Sequence, residues 1–188
     1  MDKTEPELSQ YLASGRKIAE GSAVWDEGRI PLTITYYLSD VLPPLQYVSS
    51  VRGILLRDET VMVVCDRKGH FHITPGGRRE GAEVLEETFH REILEETGWT
   101  FGEILLLGFI HLHHLATEPP DYAFPYPDFL WIVYLAKADR YFPQKQAPGQ
   151  YELETNFRSI EEARALLDEP GQLQFLDAAI KLRRKNRH

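Results

Sequence analysis

Apolar runs separated by short turn-forming segments dominate the middle of the chain. Segments 47–56 (YVSSVRGILL) and 60–66 (TVMVVCD) have the length and the β-branched content of strands, and the residues RDE between them predict a hairpin. Two further apolar runs, 103–115 and 129–138, are also predicted strands. The segment HFHITPGG (70–77) predicts a strand that runs into a glycine turn.

The last third of the chain has helical patterns. Ser159 and Glu162 match a capping box, which predicts that a helix begins there and continues through Leu167. The segment LQFLDAAIKLRRK (173–185) predicts a second helix, since its apolar residues recur on one face. Strands mixed with helices in this order predict an α/β layered domain.

The first 46 residues are predicted to be an extension of this domain. Apolar residues at helical spacing predict a short amphipathic helix over residues 4–20, and PLTITYYL (31–38) alternates like a strand. The apolar positions of that helix are Leu8, Tyr11, Leu12 and Ile18. We therefore divide the chain into an extension, 1–46, and a main domain, 47–188. The extension would add a strand to the sheet, cover a cleft as a lid, or form the contact of a homodimer.

Composition and charge narrow the class of protein. Hydrophobic residues make up 43% of the 188 residues and charged residues 27%, which is typical of globular proteins. The net charge of -8 argues against nucleic acid as a partner, and we interpret the basic segment KLRRKNRH (181–188) as a helix end that complements its own dipole. The amino terminus lacks the apolar core of a signal peptide, and no apolar run approaches the ~20 residues that span a bilayer. We expect a cytoplasmic protein.

A third predicted helix, residues 82–97, is unusually acidic. Leu85, Phe89 and Ile93 recur every fourth position and define its apolar face. Between residues 83 and 96 the chain has six glutamates and a single arginine, Arg91. A solvated surface helix normally interleaves charges of both signs, so this pattern calls for another explanation.

Three of these glutamates, Glu92, Glu95 and Glu96, lie in the last turn before Gly98. The helix dipole disfavours each carboxylate there by ~0.3–1 kcal/mol. Because residues three and four apart are neighbours on a helix, their side chains are able to converge on one point. Three converging oxygen ligands suit Mg²⁺ or Mn²⁺, and such an ion would neutralise the repulsion.

The turn before this helix supports an anionic ligand. Two glycines follow the predicted strand in TPGGRREGA, where the backbone is able to approach a ligand closely, and Arg78 and Arg79 would add positive charge. As a whole, GRREGAEVLEETFHREILEETGW (77–99) fits G-x5-E-x7-R-E-U-x-E-E-x-G-U, where U is bulky and apolar. This segment resembles the signature of the Nudix hydrolase family, with Trp99 where an aliphatic residue is usual. The resemblance extends over residues 47–180.

The resemblance implies a fold, a reaction and a set of roles. The expected fold is a Nudix-like α/β/α sandwich with a mixed β-sheet, carrying the amino-terminal helix and strand extension. The expected reaction is Mg²⁺- or Mn²⁺-dependent hydrolysis of a nucleoside diphosphate linked to another moiety X, by attack of water on phosphorus. The metal ligands would be Gly76 through its carbonyl, Glu92, Glu95 and Glu96. The structural brace of the signature would be Gly77, Glu83, Arg91 and Gly98.

The general base is left open between three glutamates. Glu92 is preferred, but in relatives a glutamate far downstream serves instead, and Glu152 and Glu154 in QYELETNF are the matching candidates here. Sequence spacing does not choose among them.

The substrate class is predicted more broadly. The loop 118–129 carries four aromatic residues that would stack a nucleobase or pack over the core: Tyr122, Phe124, Tyr126 and Phe129. A nucleoside di- or triphosphate or a nucleotide sugar is the favoured class. His111 and His113 share one face of a predicted strand. Zinc ligation is one interpretation, and a polar strand face or a substrate contact is favoured over it.

Two other functions belong to the same family. A non-catalytic module that senses a nucleotide ligand is the first alternative, and an isopentenyl-diphosphate isomerase-like enzyme is the second. The isomerase needs a reactive cysteine. Cys65, the single cysteine, lies in the apolar run VMVVC, so it is expected to be buried and inert.

Overall fold

The computed structural model describes residues 5–25, 29–118, 122, 124–147 and 152–185, apart from the side chains of residues 152, 153 and 170. The helices are α1 (Pro6–Ser14), α2 (Leu85–Thr97), α3 (Ile160–Leu166) and α4 (Pro170–Lys185). The strands are β1 (Arg16–Trp25), β2 (Ile30–Leu38), β3 (Val48–Arg57), β4 (Thr60–Asp66), β5 (Phe71–His72), β6 (Gly76–Arg78), β7 (Trp99–His114), β8 (Asp128–Tyr141) and β9 (Glu152–Ser159). Short 3-10 turns cover Leu45–Tyr47 and Pro143–Lys145.

The described strands form one mixed sheet. Its order is β1-β2-β7-β8-β3-β4-β5, with β6 paired to β3 and β9 paired to β4. Strands β3 and β8 run parallel, whereas the other pairs in the described sheet are antiparallel. Because the parallel pair needs a crossover, the α2 segment lies between β3 and β8 in the chain and packs across the sheet.

Apolar side chains cover both faces of the sheet. On one face, α1 and α2 contribute Leu8, Phe89 and Ile93 to a buried cluster. On the other face, α3 and α4 contribute Ala163 and Phe175 to a second cluster. The helices therefore sandwich the sheet, which confirms the predicted α/β/α fold.

The amino-terminal segment differs from the prediction at one point. The predicted helix 4–20 ends at Ser14, because the backbone of Gly15 is extended, with φ of -79° and ψ of 148°. Ile18 is therefore a strand residue in β1. Strand β2 pairs with β7 through contacts such as Tyr36↔Ile110, so this segment adds a hairpin to the sheet.

Other local predictions are confirmed. Strands β3 and β4 form the hairpin, with Leu56 opposite Val61. Cys65 is buried, as expected. The capping box at the start of α3 is formed by Ser159 and Glu162. Among the described helices, none combines the length and the apolar character that crossing a membrane requires.

Candidate active site

Helix α2 is fixed on the sheet by its apolar face. Phe89 and Ile93 are fully buried, and Phe89 packs directly against Gly53 of β3, where a side chain would collide with its ring. The helix ends at Gly98, whose φ of 72° is the left-handed cap that glycine adopts without strain. This docking directs the glutamates of the last two turns toward β6.

Glu92 and Glu96 both contact the glycine turn. The Gly76 N–H donates to Glu96 Oε2 at 2.7 Å. A Cβ atom at Gly77 would lie 2.3 Å from Glu92 Oε2, so the missing side chain leaves the space that this carboxylate occupies. Glu95 is half exposed and lies 3.4 Å from Arg91 Nη1. Two of the three predicted ligands thus lie at the same turn, and the third, Glu95, is linked to Glu92 through Arg91.

Arg91 connects the acidic residues to the loop before the helix. Its Nε and Nη2 donate to Glu83 Oε1 and Oε2 at 2.8 and 3.0 Å, and Nη2 also donates to the Arg78 carbonyl at 2.9 Å. Its Nη1 donates to Glu92 Oε1 at 2.7 Å. The hydrogen bonds from Arg91 lower the pKa of Glu83 to about 2, so this carboxylate is ionised throughout the physiological range. These hydrogen bonds hold the loop before α2 against the helix.

The electrostatic environment of Glu92 differs from that of Glu83. Burial raises the pKa of the Glu92 carboxyl above its ordinary value, although the hydrogen bond and charge of Arg91 oppose this rise. Its side chain is only 14% exposed. A half-desolvated carboxylate with a raised proton affinity is suited to accept a proton.

The downstream base candidates lie elsewhere. Glu154 accepts hydrogen bonds from Arg158 and Asn156 on an exposed face of β9. Its neighbour Thr155 points the other way, since Thr155 Oγ1 accepts from Gln146, which also donates to the Glu96 carbonyl. Because successive strand residues point to opposite faces, Glu154 points away from α2. The side chain of Glu152 lies outside the described residues.

Arg78 and Arg79 have different environments. The Arg79 guanidinium donates through Nε and Nη2 to the Glu83 carbonyl at 3.3 and 3.0 Å, which orders the loop before α2. Arg78 is exposed, and its Cζ lies 4.3 Å from the centre of the Phe124 ring. Of the two arginines, Arg78 is therefore better placed to bind an anion.

The aromatic loop packs largely against the protein itself. Tyr122 Oη lies 2.6 Å from His114 Nε2, and Tyr126 donates to the Ala116 carbonyl at 2.8 Å. Phe129 is 1% exposed and belongs to β8, so it is a core residue and is not available to stack a base. Phe124 lies between Arg78 and Phe129, with its ring centre 6.2 Å from that of Phe129.

A cavity of about 540 Å³, which no sequence pattern indicated, is lined by residues of β1, β2, β3, β5, β8 and the start of α4. Trp131 and Arg52 line it, with the Arg52 guanidinium 4.2 Å above the Trp131 ring. Trp25 of β1 stacks on the other side of Trp131, with ring centres 5.6 Å apart. The positive charge of Arg52 also favours the ionised form of Glu92, although burial has the larger effect and raises the pKa of that carboxyl.

The chain belongs to the NUDIX domain family, whose family model matches residues 46–179. Nudix hydrolases act on phosphoric anhydride bonds of nucleoside diphosphate derivatives, and this chain is accordingly a hydrolase of that class. The family generally uses divalent metals such as Mg²⁺.

Solved structures share the fold at low sequence identity. A NUDIX hydrolase from Nitrosomonas europaea superposes with a TM-score of 0.53 at 21% identity, covering 70% of this chain and 87% of that one. The pyrophosphohydrolase BsRppH of Bacillus subtilis gives 0.51 at 18%, covering 73% and 77%. The NUDIX domain of Shewanella oneidensis NrtR, complexed with ADP ribose, gives 0.53 at 16%, covering 71% and 86%. No curated protein matches this chain by sequence.

The residues at the end of α2 have the donor chemistry of a divalent-metal site, but the ligand oxygens of Glu92, Glu95 and Glu96 do not all lie within 4.8 Å of one another in the described structure. Glu92 and Glu96 supply carboxylate oxygens beside a turn at which Gly77 leaves no Cβ in the way, and Glu95 adds a third carboxylate from the same helix end. Oxygen donors of this kind are those that Mg²⁺ and Mn²⁺ prefer.

Proposed function

We propose that this protein is a Mg²⁺- or Mn²⁺-dependent pyrophosphohydrolase that cleaves a nucleoside diphosphate linked to another moiety X. The observation that carries the proposal is the contact of Glu92 and Glu96 with the Gly76–Gly77 turn. This contact places negative side chains beside a backbone that a pyrophosphate is able to approach closely.

Three residues have separate roles at this site. Glu92 takes the proton of the attacking water at its carboxylate, which its burial and the Arg91 hydrogen bond hold at the glycine turn. Arg91 keeps Glu92 oriented through the 2.7 Å hydrogen bond. Glu83 in turn holds Arg91 in place. The metal, when bound, polarises the phosphoryl oxygens and lowers the pKa of a bound water.

The substrate lies across β6 in this proposal. Its phosphates contact the glycine turn, and the exposed Arg78 provides a positive charge nearby. Its base enters the cavity and takes the place of the Arg52 guanidinium on the face of Trp131 that Trp25 does not cover. A nucleoside di- or triphosphate or a nucleotide sugar has this combination of an aromatic base and a pyrophosphate.

The test is hydrolysis of a panel of nucleoside diphosphates, nucleoside triphosphates, dinucleoside polyphosphates and nucleotide sugars. We expect turnover with Mg²⁺ or Mn²⁺, abolished by chelation and reduced at least a hundredfold by Glu96→Gln. Glu86→Gln is the matched control, because Glu86 is exposed in the first turn of the same helix. Product analysis in ¹⁸O-labelled water identifies the phosphorus that is attacked.

Two results would contradict the proposal. The first is activity that survives both chelation and Glu96→Gln. The second is tight binding of a nucleotide without turnover across the panel, which would favour the ligand-sensing alternative.

A further inference from the structure

A group of ligand side chains lies on the sheet away from the α2 glutamates. His111 and His113 are two residues apart on β7 and so share one face of the strand. Asp128, the first residue of β8, lies directly opposite His113 in the register. Strand pairing therefore brings a carboxylate to the two imidazoles from a segment 15 residues away along the chain.

The three side chains converge on one point. His111 Nε2 lies 2.7 Å from Asp128 Oδ1, and His113 Nδ1 lies 2.8 Å from the same oxygen. Their exposed fractions are 12%, 20% and 4% for His111, His113 and Asp128. Within the described ranges, this is the one group of three or more His, Cys, Asp or Glu residues whose ligand atoms all lie within 4.8 Å of one another.

We propose that His111, His113 and Asp128 form a second metal site, which binds Zn²⁺. Imidazole nitrogens favour zinc over magnesium, and two of them with one carboxylate form a three-ligand set that leaves a fourth position open. This chemistry differs from that of the all-oxygen set at Glu92, Glu95 and Glu96. The site is independent of the proposed function.

Little rearrangement is needed to admit the ion. Zinc to nitrogen and oxygen bonds of about 2.0–2.2 Å in a tetrahedron place neighbouring ligand atoms roughly 3.3 Å apart. The present separations of 2.7 and 2.8 Å therefore need to open by a few tenths of an ångström, within the range of small side-chain rotations. The backbone positions are already set, because β7 is paired on both sides, with Thr35 opposite His111 and Thr33 opposite His113.

The simpler interpretation is that Asp128 only accepts hydrogen bonds from the two histidines. In that case the cluster holds β7 to β8 and has no affinity for zinc above that of any exposed imidazole. Metal binding separates the two interpretations directly.

The experiment is Zn²⁺ titration of the full chain in excess Mg²⁺, which competes at the glutamates. We expect one equivalent of zinc to remain after dialysis, measured by elemental analysis. Co²⁺ in its place should give a visible d–d absorption band of a four-coordinate site. His113→Gln should weaken zinc binding at least tenfold, while Glu96→Gln should retain the full equivalent. His90→Gln is the control, since His90 is an exposed histidine on α2.

The folding of each variant is checked separately, so that a loss of zinc binding is not confused with unfolding. Circular dichroism and thermal unfolding of His111→Gln, His113→Gln and Asp128→Asn identify any variant that is not folded. The measurement on the wild-type protein tests the proposal without any variant. If the wild type binds no saturable equivalent of zinc and shows no Co²⁺ band, the proposal is wrong. Zinc retention that persists in all folded variants of the three residues also overturns it.

Discussion

Gly77 lies so close to Glu92 that a methyl group at residue 77 would come within 2.3 Å of Glu92 Oε2. The carboxylate therefore occupies the space that any other residue would fill with its side chain. The helix is anchored by Phe89 and Ile93, so a side chain at residue 77 would be accommodated by rotation of the flexible end of Glu92 away from the turn. The absence of a side chain at Gly77 thus allows the carboxylate to lie at the turn.

The first prediction concerns Gly77→Ala. The methyl group displaces the Glu92 carboxylate, and a displacement of about 1 Å at a reacting group costs on the order of a hundredfold in rate. We expect kcat/KM to fall by roughly that factor, with a native circular dichroism spectrum. Gly102→Ala is the control, because a Cβ atom at Gly102 meets nothing within 4 Å. Equal activity of the two variants would show that Glu92 needs no such space.

The second prediction concerns acid stability through Glu83. Its pKa is about 2 in the folded protein, against an ordinary value of 4.5. A lowered carboxyl pKa adds stability that is fully present above pH 4.5 and is lost as the pH falls through 2. Glu83→Gln should therefore be less stable than wild type at pH 7, and the difference should shrink between pH 4.5 and 2 in urea unfolding experiments.

The control for this prediction is Glu86→Gln, which changes an exposed carboxylate of the same helix. That variant should follow the wild-type pH profile. A Glu83→Gln profile parallel to that of wild type over this interval would mean that the bond from Arg91 does not couple to folding.

The third prediction concerns base recognition by Trp131. Loss of a stacking ring costs ~1–3 kcal/mol, so Trp131→Leu should raise KM roughly 5- to 150-fold, with a smaller effect on kcat. Trp99→Leu is the matched control, since Trp99 stacks on Tyr141, 5.1 Å away, outside this cavity. Steady-state kinetics with a substrate from the panel measures both constants. An unchanged KM would place the base outside the cavity.

The fourth prediction compares two glycines with positive φ. Gly98 (φ 72°) caps α2, and a Cβ atom there would lie 2.8 Å from Tyr141 Cε2, whereas a Cβ atom at Gly69 (φ 84°) meets nothing within 4 Å. Gly69→Ala should cost about 1 kcal/mol from backbone strain alone. Gly98→Ala should cost more, roughly 1–3 kcal/mol, because the contact with Tyr141 adds to the strain.

Urea unfolding at constant pH measures both values. The difference between the two variants isolates the steric contact with Tyr141. Equal losses would show that the tyrosine ring moves aside at no cost.

The sequence determined the parts of this protein that depend on neighbours along the chain. The apolar spacing of Leu85, Phe89 and Ile93 was enough to predict α2 and its buried face, because a helix brings residues three and four apart together. The same rule placed Glu92, Glu95 and Glu96 on one helix end. The link between Glu83 and Arg91 was expected from the family resemblance alone, since Glu83 lies before the first residue of α2.

Tertiary structure decided whatever depends on strand pairing between distant segments. Sequence spacing showed His111 and His113 on one strand face, but only the register of β8 against β7 brings Asp128 to them. Arg52 and Trp131 meet for the same reason, since β3 and β8 pair in parallel across an intervening helix. A register shift of one residue would turn each of these side chains to the opposite face of the sheet. Because the packing of the whole sheet sets the strand register, no local sequence pattern predicts it.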